Sequence, residues 1–97
     1  MEYEYTYCPQ ARILILDDVG IIFDLTEKEH NFLMLLMEKK FISKEEITRT
    51  LMGIYNEKSF NSVKAIKSRL CLKTFITIKT KNNCGYRLIN KIKLKEV

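Results

Sequence analysis

Two helix-start signals lie 17 residues apart, and they constrain the fold of this chain more than any other feature of its sequence. In residues 26–29 (TEKE) the threonine hydroxyl can accept a hydrogen bond from the last amide, and the glutamate can accept one in return, which makes a capping box. Residues 43–46 (SKEE) have the same pattern. The sequence therefore predicts two short helices, one over residues 27 to about 39 and a second that ends near Met52, before Gly53.

The residues before the first helix have the period of β-strands. Tyr3, Tyr5 and Tyr7 alternate with polar residues, and two apolar runs at 12–16 and 21–24 flank a turn rich in Asp and Gly. These features predict an antiparallel sheet at the N-terminus. Such a sheet cannot bury both of its faces alone, so we expect other elements to pack against it.

A third helix is predicted over about residues 61–72, after a polar loop at 53–59. On a helical wheel Val63, Ile66 and Leu70 fall on one side. The opposite side is basic and contains no acidic residue. The third helix therefore has one face for the core and one for solvent or an anionic partner.

A basic hairpin is predicted at the C-terminal end. Strands are expected at 75–78 and 86–89, and the turn between them contains Asn82, Asn83 and Gly85, which tolerate left-handed backbone conformations. An N-terminal antiparallel sheet, three helices and a C-terminal β-hairpin wing make an α+β winged helix-turn-helix fold. Winged helices bind DNA, RNA or proteins, so the fold alone does not decide the function.

The charge of the chain is distributed asymmetrically. The net charge is +5, but residues 1–30 carry −5 and residues 58–97 carry +10. A basic segment on a near-neutral body is the pattern expected of nucleic-acid binding, and a solvated lysine surface is the other interpretation. The length of 97 residues and an apolar fraction of 46% predict one globular domain over residues 1–97.

Cysteine usage and hydropathy indicate the cellular compartment of the protein. Cys8, Cys71 and Cys84 are widely spaced and fit neither a disulfide framework nor a zinc-binding pattern. No apolar run approaches the roughly 18 residues of a membrane span. We therefore expect a cytoplasmic protein without membrane contact, whose free cysteines are buried rather than acting as redox sensors.

Four motifs, in order, resemble the OmpR/PhoB-type effector domain of bacterial response regulators. The matching segments are 25–36 ("LTxxEfxLL"), 42–47 ("vsreeL"), 63–70 ("VdvhIsrLR") and 78–88 ("IxTvrGxGYRL"). The similarity covers about residues 12–89. It implies the same winged-helix fold and the function of a transcription regulator. The sequence has no acidic phosphorylation pocket, so we expect the effector domain without the receiver domain that normally precedes it.

The resemblance implies binding to double-stranded DNA, with the third helix in the major groove and the wing, about 79–86, on the adjacent backbone or minor groove. The DNA-facing positions carried over are Lys64, Ala65, Ser68 and Arg69 on the helix, and Thr80, Lys81, Asn82 and Arg87 on the wing. Arg69 is the candidate for bidentate reading of a guanine. Lys67 departs from the family, which usually has an apolar residue there, so we expect Lys67 to snorkel or the helix to be rotated slightly.

The resemblance also implies protein partners. In the family the loop before the third helix can touch RNA polymerase, so Tyr55, Asn56 and Glu57 are candidate contacts, although Tyr55 could serve only in packing. A tandem pair of domains on direct repeats is expected on the same basis. The alternatives are a protein-binding winged helix that acts on RNA polymerase or another regulator, and an RNA-binding domain.

The sequence contains no recognisable catalytic or metal-binding pattern. We find no nucleophile–base pair, phosphate-cradling glycine loop or cluster of metal ligands, and His30 has no potential partner nearby in sequence. We therefore predict that the protein is not an enzyme and has no metal, cofactor or small-molecule substrate.

Overall fold

The computed structural model describes residues 3–82 and 84–95, and its helices and sheets follow the predicted order. The elements are β1 (Tyr5–Cys8), β2 (Ile13–Leu16), β3 (Ile21–Asp24), α1 (Glu27–Glu38), β4 (Ile42–Ser43), α2 (Lys44–Met52), α3 (Glu57–Thr74), β5 (Ile78–Lys81), β6 (Gly85–Leu88) and β7 (Ile92–Leu94). One sheet has the strand order β3-β2-β1-β7, and the other has the order β4-β6-β5. The fold is an α+β winged helix with β5 and β6 as the wing, as the sequence predicts.

The N-terminal sheet contains the three predicted antiparallel strands and a fourth strand that the sequence did not predict. β7 lies parallel to β1, with Tyr5 opposite Ile92. Tyr5 and Tyr7 are fully buried, whereas Tyr3 lies outside β1 and is 46% exposed, so the predicted strand began too early. β7 has only three residues, too few for a period of two to be recognised among the surrounding lysines.

The first capping box is complete, and the second is only half formed. The Thr26 hydroxyl accepts from the Glu29 amide at 3.2 Å, and the Glu29 carboxylate accepts from the Thr26 amide at 2.9 Å. At α2 the Ser43 hydroxyl accepts from the Glu46 amide at 3.1 Å, but the Glu46 carboxylate pairs with Lys39. The predicted second helix therefore exists, but the return hydrogen bond predicted for its capping box is wrong.

α3 begins earlier than predicted because a further capping box starts it. The Asn56 side chain accepts from the Ser59 amide at 2.8 Å, and the Ser59 hydroxyl accepts from the Asn56 amide at 2.9 Å. The helix consequently begins at Glu57, inside the predicted polar loop. The expected start at residue 61 was too late.

α3 also continues beyond its predicted end and displaces the first predicted hairpin strand. The helix runs to Thr74, whose hydroxyl donates to the Leu70 carbonyl at 2.7 Å, and Phe75 ends it with a left-handed φ of 65°. The predicted strand at 75–78 is therefore wrong, because β5 begins only at Ile78.

α1 is the central helix of the core. Phe32 and Leu33 are fully buried, and the Phe32 ring meets the Tyr86 ring of β6 edge-on, with centroids 5.9 Å apart. The Tyr5 hydroxyl donates to the Thr74 carbonyl, which joins the N-terminal sheet to the end of α3. These contacts fix the positions of α3 and the wing relative to the rest of the fold. Within residues 3–82 and 84–95, no helix is long and apolar enough to cross a membrane.

Candidate nucleic-acid interface

The outward face of α3 carries the four helix residues that the sequence predicts to face DNA. The core-facing residues Val63, Ile66 and Leu70 are almost completely buried. The predicted helix residues Lys64, Ala65, Ser68 and Arg69 are all exposed. Because successive residues turn by about 100° around a helix, Lys64 and Arg69 lie about 140° apart and bound a wide solvent-facing arc. α3 has no acidic residue after Glu57, so this arc is basic.

The wing distributes its predicted DNA-facing residues between two faces. In the β5–β6 pairing Thr80 lies opposite Tyr86, Lys79 opposite Arg87, and Lys81 opposite Gly85. Since side chains alternate between the faces of a strand, Thr80 shares the face of the buried Tyr86, whereas Lys81 and Arg87 share the other face. The structure therefore does not bring all the predicted wing residues together.

The hairpin tip is tighter than predicted. The Cys84 amide donates to the Lys81 carbonyl at 2.8 Å, and Asn82 has a left-handed φ of 49°, as expected for a turn residue. Gly85 was predicted as a turn residue, but it lies buried in β6 and has no positive φ. A glycine at position 85 lets β6 pack close to β4, because a Cβ there would collide with the carbonyl oxygen of Ile42. Asn83 lies outside the described residues.

A groove runs between α3 and the wing. Its lining residues are Lys44, Phe60, Lys64, Lys67, Ser68, Thr80, Gly85 and Tyr86. Three of the predicted residues therefore meet there: Lys64, Ser68 and Thr80. The predicted residues that do not line it are Ala65, Arg69, Lys81, Asn82 and Arg87. The candidate interface thus consists of a groove and the exposed helix and wing surfaces on either side of it.

Three lysine ammonium groups in the groove lie over aromatic rings. Lys44 and Lys64 lie 5.6 Å and 5.3 Å from the centroid of the same ring, that of Phe60. The Lys67 ammonium lies 5.7 Å from the centroid of the Tyr86 ring and 3.5 Å from the Thr80 hydroxyl. The half-buried Lys67 thus snorkels, as expected, while Ile66 takes the core position beside it.

Sequence reasoning missed Lys44 and Phe60 as candidate interface residues. Lys44 was considered only as part of a helix start, and Phe60 was assigned to neither the core face nor the basic face of α3. A signal was available in the sequence: Phe60 directly precedes Asn61, where the predicted helix began, so a slightly earlier start would have placed Phe60 on the helix. With α3 starting at Glu57, Phe60 and Lys64 are four residues apart and therefore neighbours on one helix face.

The carboxylate partners of lysines lie elsewhere in the described part of the chain. The ion pairs found there join Lys39 to Glu46 and Lys73 to Glu29. Burial alone would raise the pKa of the Glu29 carboxyl, but hydrogen bonds from Thr26 and Lys73, together with the positive charge of Lys73, bring this pKa below its ordinary value. The lining of the groove includes three lysines and two aromatic residues but no carboxylate.

The three candidate polymerase-contacting residues lie at the start of α3. Asn56 caps the helix, and the exposed Glu57 is its first residue. Tyr55 is half-buried, and its ring lies 6.3 Å from that of Phe60. Asn56 and Tyr55 therefore have structural roles, and contact with a protein partner stays a prediction.

His30 has a structural partner in the core. Its Nδ1 lies 2.6 Å from the hydroxyl of Tyr7, and burial raises the pKa of Tyr7 to about 12. Across residues 3–82 and 84–95 there is no group of three or more potential metal ligands.

The free cysteines differ in exposure. Cys8 and Cys71 are half-buried, whereas Cys84 is exposed at the wing tip. The expectation that the cysteines are buried is therefore wrong for Cys84, because the tip of a hairpin has no core to pack against, and Cys8 and Cys71 meet it only in part. Burial raises the pKa of the Cys71 thiol, despite the opposing effect of Lys67.

Comparison with known proteins identifies a solved structure of the same architecture. The chain matches the DNA-binding domain of Bacillus subtilis CssR with 28% sequence identity and a TM-score of 0.75, over 89% of this chain and 100% of that domain. The sequence matches no protein-family model and no curated protein. CssR is an OmpR/PhoB-family response regulator. The predicted resemblance is thereby confirmed, and the chain has the winged-helix fold of an OmpR/PhoB-type effector domain.

Proposed function

We propose that this protein is a sequence-specific, double-stranded-DNA-binding transcription regulator. In this proposal α3, including the predicted recognition segment 61–72, enters the major groove, and the wing contacts the adjacent backbone or minor groove. A helix about 10–12 Å across fits a major groove about 12 Å wide. The similarity to the CssR DNA-binding domain supports the proposal.

One observation carries the proposal furthest: the exposed arc of α3 and the wing are basic and contain no acidic side chain. α3 has no acidic residue after Glu57, and the described residues of the wing from Ile78 to Leu88 include none. A surface of one charge sign attracts a polyanion and repels acidic partners. It therefore favours nucleic acid over an ordinary protein surface as the partner.

The predicted residues divide between base and phosphate contacts. Arg69 is exposed on α3 and offers the planar fork of donors that pairs with a guanine edge. Lys81 and Arg87 share one face of the wing and suit phosphate contacts, which fix position without reading sequence. In this assignment helix residues specify the site and wing residues strengthen binding.

Further parts of the proposal rest on the family resemblance alone. They are the tandem pairing on direct repeats and the contact of Tyr55, Asn56 and Glu57 with RNA polymerase. The cytoplasmic location rests instead on the cysteine usage of the sequence. The regulatory rather than enzymatic role is likewise part of the proposal, and the similarity to the CssR DNA-binding domain supports it.

The test is a titration of the protein against mixed genomic DNA fragments at two salt concentrations. If roughly 4–6 phosphates are neutralised per domain, the logarithm of the binding constant should fall against the logarithm of salt concentration with a slope of about −4 to −5. No binding at low salt, or a slope near zero, would contradict DNA binding. It would favour the alternative of a protein-binding winged helix.

A further inference from the structure

We propose that Phe60 and Tyr86 are positioning residues, which hold Lys44, Lys64 and Lys67 in the groove to receive one phosphodiester group of the DNA backbone. This inference rests on the proposed DNA-binding function. It adds a place on the protein where the backbone is held, and it assigns two aromatic side chains the role of placing lysines.

The Phe60 ring brings together lysines from two helices. Lys44 is the first residue of α2 and Lys64 lies in α3, yet both ammonium groups lie within 5.6 Å of the Phe60 centroid. The ring is itself held, because Phe60 packs against the core and its edge meets Tyr55. The negative face of an aromatic ring attracts a cation, so Phe60 can restrict where both ammonium groups lie.

The wing closes the other side of the groove. The Lys44 amide donates to the Cys84 carbonyl at 2.8 Å, which fixes the start of α2 beside the hairpin. The Lys67 ammonium is held by the ring of Tyr86, a residue that is 2% exposed and therefore rigidly placed. The three cations thus come from two helices and lie over two aromatic rings around one groove.

An anion is the ligand that this arrangement fits. Three ammonium groups without a carboxylate in the groove repel one another, and an anion between them would relieve that repulsion. Ordering a free lysine side chain costs conformational entropy, and a lysine already held over a ring loses less on binding. If α3 lies in the major groove and the wing on the neighbouring backbone, a phosphodiester is the anionic group that passes between them.

The experiment measures binding of a labelled mixed-sequence DNA duplex of about two helical turns, by fluorescence anisotropy, at about 50 and 200 mM salt. Phe60→Leu should weaken binding roughly 2- to 5-fold with little change in salt slope, because charge is retained while the cation–π contacts are lost. Phe60→Tyr, which keeps an aromatic ring, should bind DNA as tightly as wild type does. Lys44→Ala and Lys64→Ala should each weaken binding and flatten the salt slope by about 0.9.

A coupling test separates positioning from mere packing. Adding Phe60→Leu to the double variant Lys44→Ala/Lys64→Ala should have almost no further effect, since the ring then has no lysine to place. The matched control is Lys28→Ala, which removes one exposed positive charge from α1 outside the groove and should leave binding within about 2-fold of wild type.

Each outcome decides one of the two proposals. Two results would overturn the inference and leave DNA binding intact. In the first, Phe60→Leu binds DNA as tightly as wild type does. In the second, Phe60→Leu weakens binding by the same factor whether or not Lys44 and Lys64 are present. Absence of wild-type binding at both salt concentrations would overturn the proposed function and the inference with it. If Phe60→Leu does not fold, unchanged salt slopes for both Lys44→Ala and Lys64→Ala would overturn the inference.

Discussion

The ammonium group of Lys73 lies 3.0 Å from the carboxylate of Glu29, which joins the last turn of α3 to the first turn of α1. The same carboxylate completes the α1 capping box by accepting from the Thr26 amide. The Glu29 side chain is only 7% exposed, so it depends on these partners for the hydrogen bonds that water would otherwise supply. One glutamate thus caps the central helix and fixes the end of the candidate recognition helix.

Glu29 should make the stability of the fold depend on pH. The pKa of its carboxyl is lower in the folded protein than its ordinary value of 4.5, so its stabilising contribution is present above that value and is lost as pH falls through the folded-state pKa. We expect Glu29→Gln to lower the free energy of unfolding at pH 7 by about 1 kcal/mol. Thermal unfolding from about pH 7 down to pH 3 should show the difference from wild type shrinking.

The control for this prediction is Glu27→Gln, in the same helical turn. Glu27 is exposed, and its replacement should change stability by less than about 0.5 kcal/mol. A difference between wild type and Glu29→Gln that stays constant down to pH 3 would show that the charge of Glu29 is not the source of its effect.

Arg69→Ala should relax sequence preference rather than weaken all binding equally. A side chain that reads a guanine contributes about 1–3 kcal/mol of discrimination, whereas a phosphate contact affects every sequence alike. The affinities of Arg69→Ala for a selected high-affinity site and for random DNA should therefore become similar. Lys81→Ala should lower both affinities by the same factor. Equal loss on both DNAs from Arg69→Ala would remove Arg69 from the reading role.

Gly85→Ala should destabilise the fold strongly. A Cβ at this position would collide with the backbone of Ile42 and with the ring of Phe41, so β4 and β6 could not keep their spacing. We expect a loss of about 3 kcal/mol or more in the free energy of unfolding, measured by chemical denaturation. Gly20→Ala is the matched control.

Comparing Gly20→Ala with Gly85→Ala distinguishes the effect of backbone strain from that of steric crowding. Gly20 has a φ of 71° but nothing within 4 Å of an added Cβ, so alanine there meets strain alone and should cost about 1–2 kcal/mol. If Gly85→Ala were no more destabilising than Gly20→Ala, the close approach of β4 to β6 would not be the reason for the glycine.

The sequence predicted several parts of the fold that depend on neighbours in the chain, although the local capping box of Asn56 and Ser59 was missed. The Thr26 capping box involves partners three residues apart, and the left-handed Gly53 that ends α2 is a local feature, so both could be recognised directly. The return bond of Glu46 was predicted wrongly because Lys39, seven residues away, competes for the same carboxylate. β7 was missed because a three-residue strand is specified by its parallel partner β1 rather than by its own pattern.

The candidate site was predictable where it depends on helical period and not where it depends on packing. The exposure of Lys64 and Arg69 follows from their spacing to the buried Val63 and Leu70. The meeting of Lys44 with Phe60 does not follow, because 16 residues and a helix boundary separate them in sequence. Only the angle at which α2 and α3 pack brings those two side chains together.

The wing tip should be needed for tight DNA binding but not for folding. Lys81 and Asn82 are exposed, and within residues 3–82 and 84–95 their side chains form neither an ion pair nor a hydrogen bond, although the Asn82 carbonyl accepts from the Cys84 thiol. The double variant Lys81→Ser/Asn82→Gly keeps the left-handed turn accessible, because glycine tolerates the φ of 49° at position 82. Its thermal midpoint should therefore stay within a few degrees of wild type, since such surface changes cost about 0.5 kcal/mol or less.

The DNA affinity of this tip variant should fall several-fold at about 100 mM salt, because each lost phosphate contact removes its share of counterion release. Lys93→Ser, which removes one exposed charge from β7 at the edge of the other sheet, should bind almost as wild type does. Thermal melts and anisotropy titrations of both variants measure the two effects separately. A tip variant that binds as tightly as wild type would assign DNA binding to α3 and the groove alone, and one that unfolds would show that the tip stabilises the hairpin.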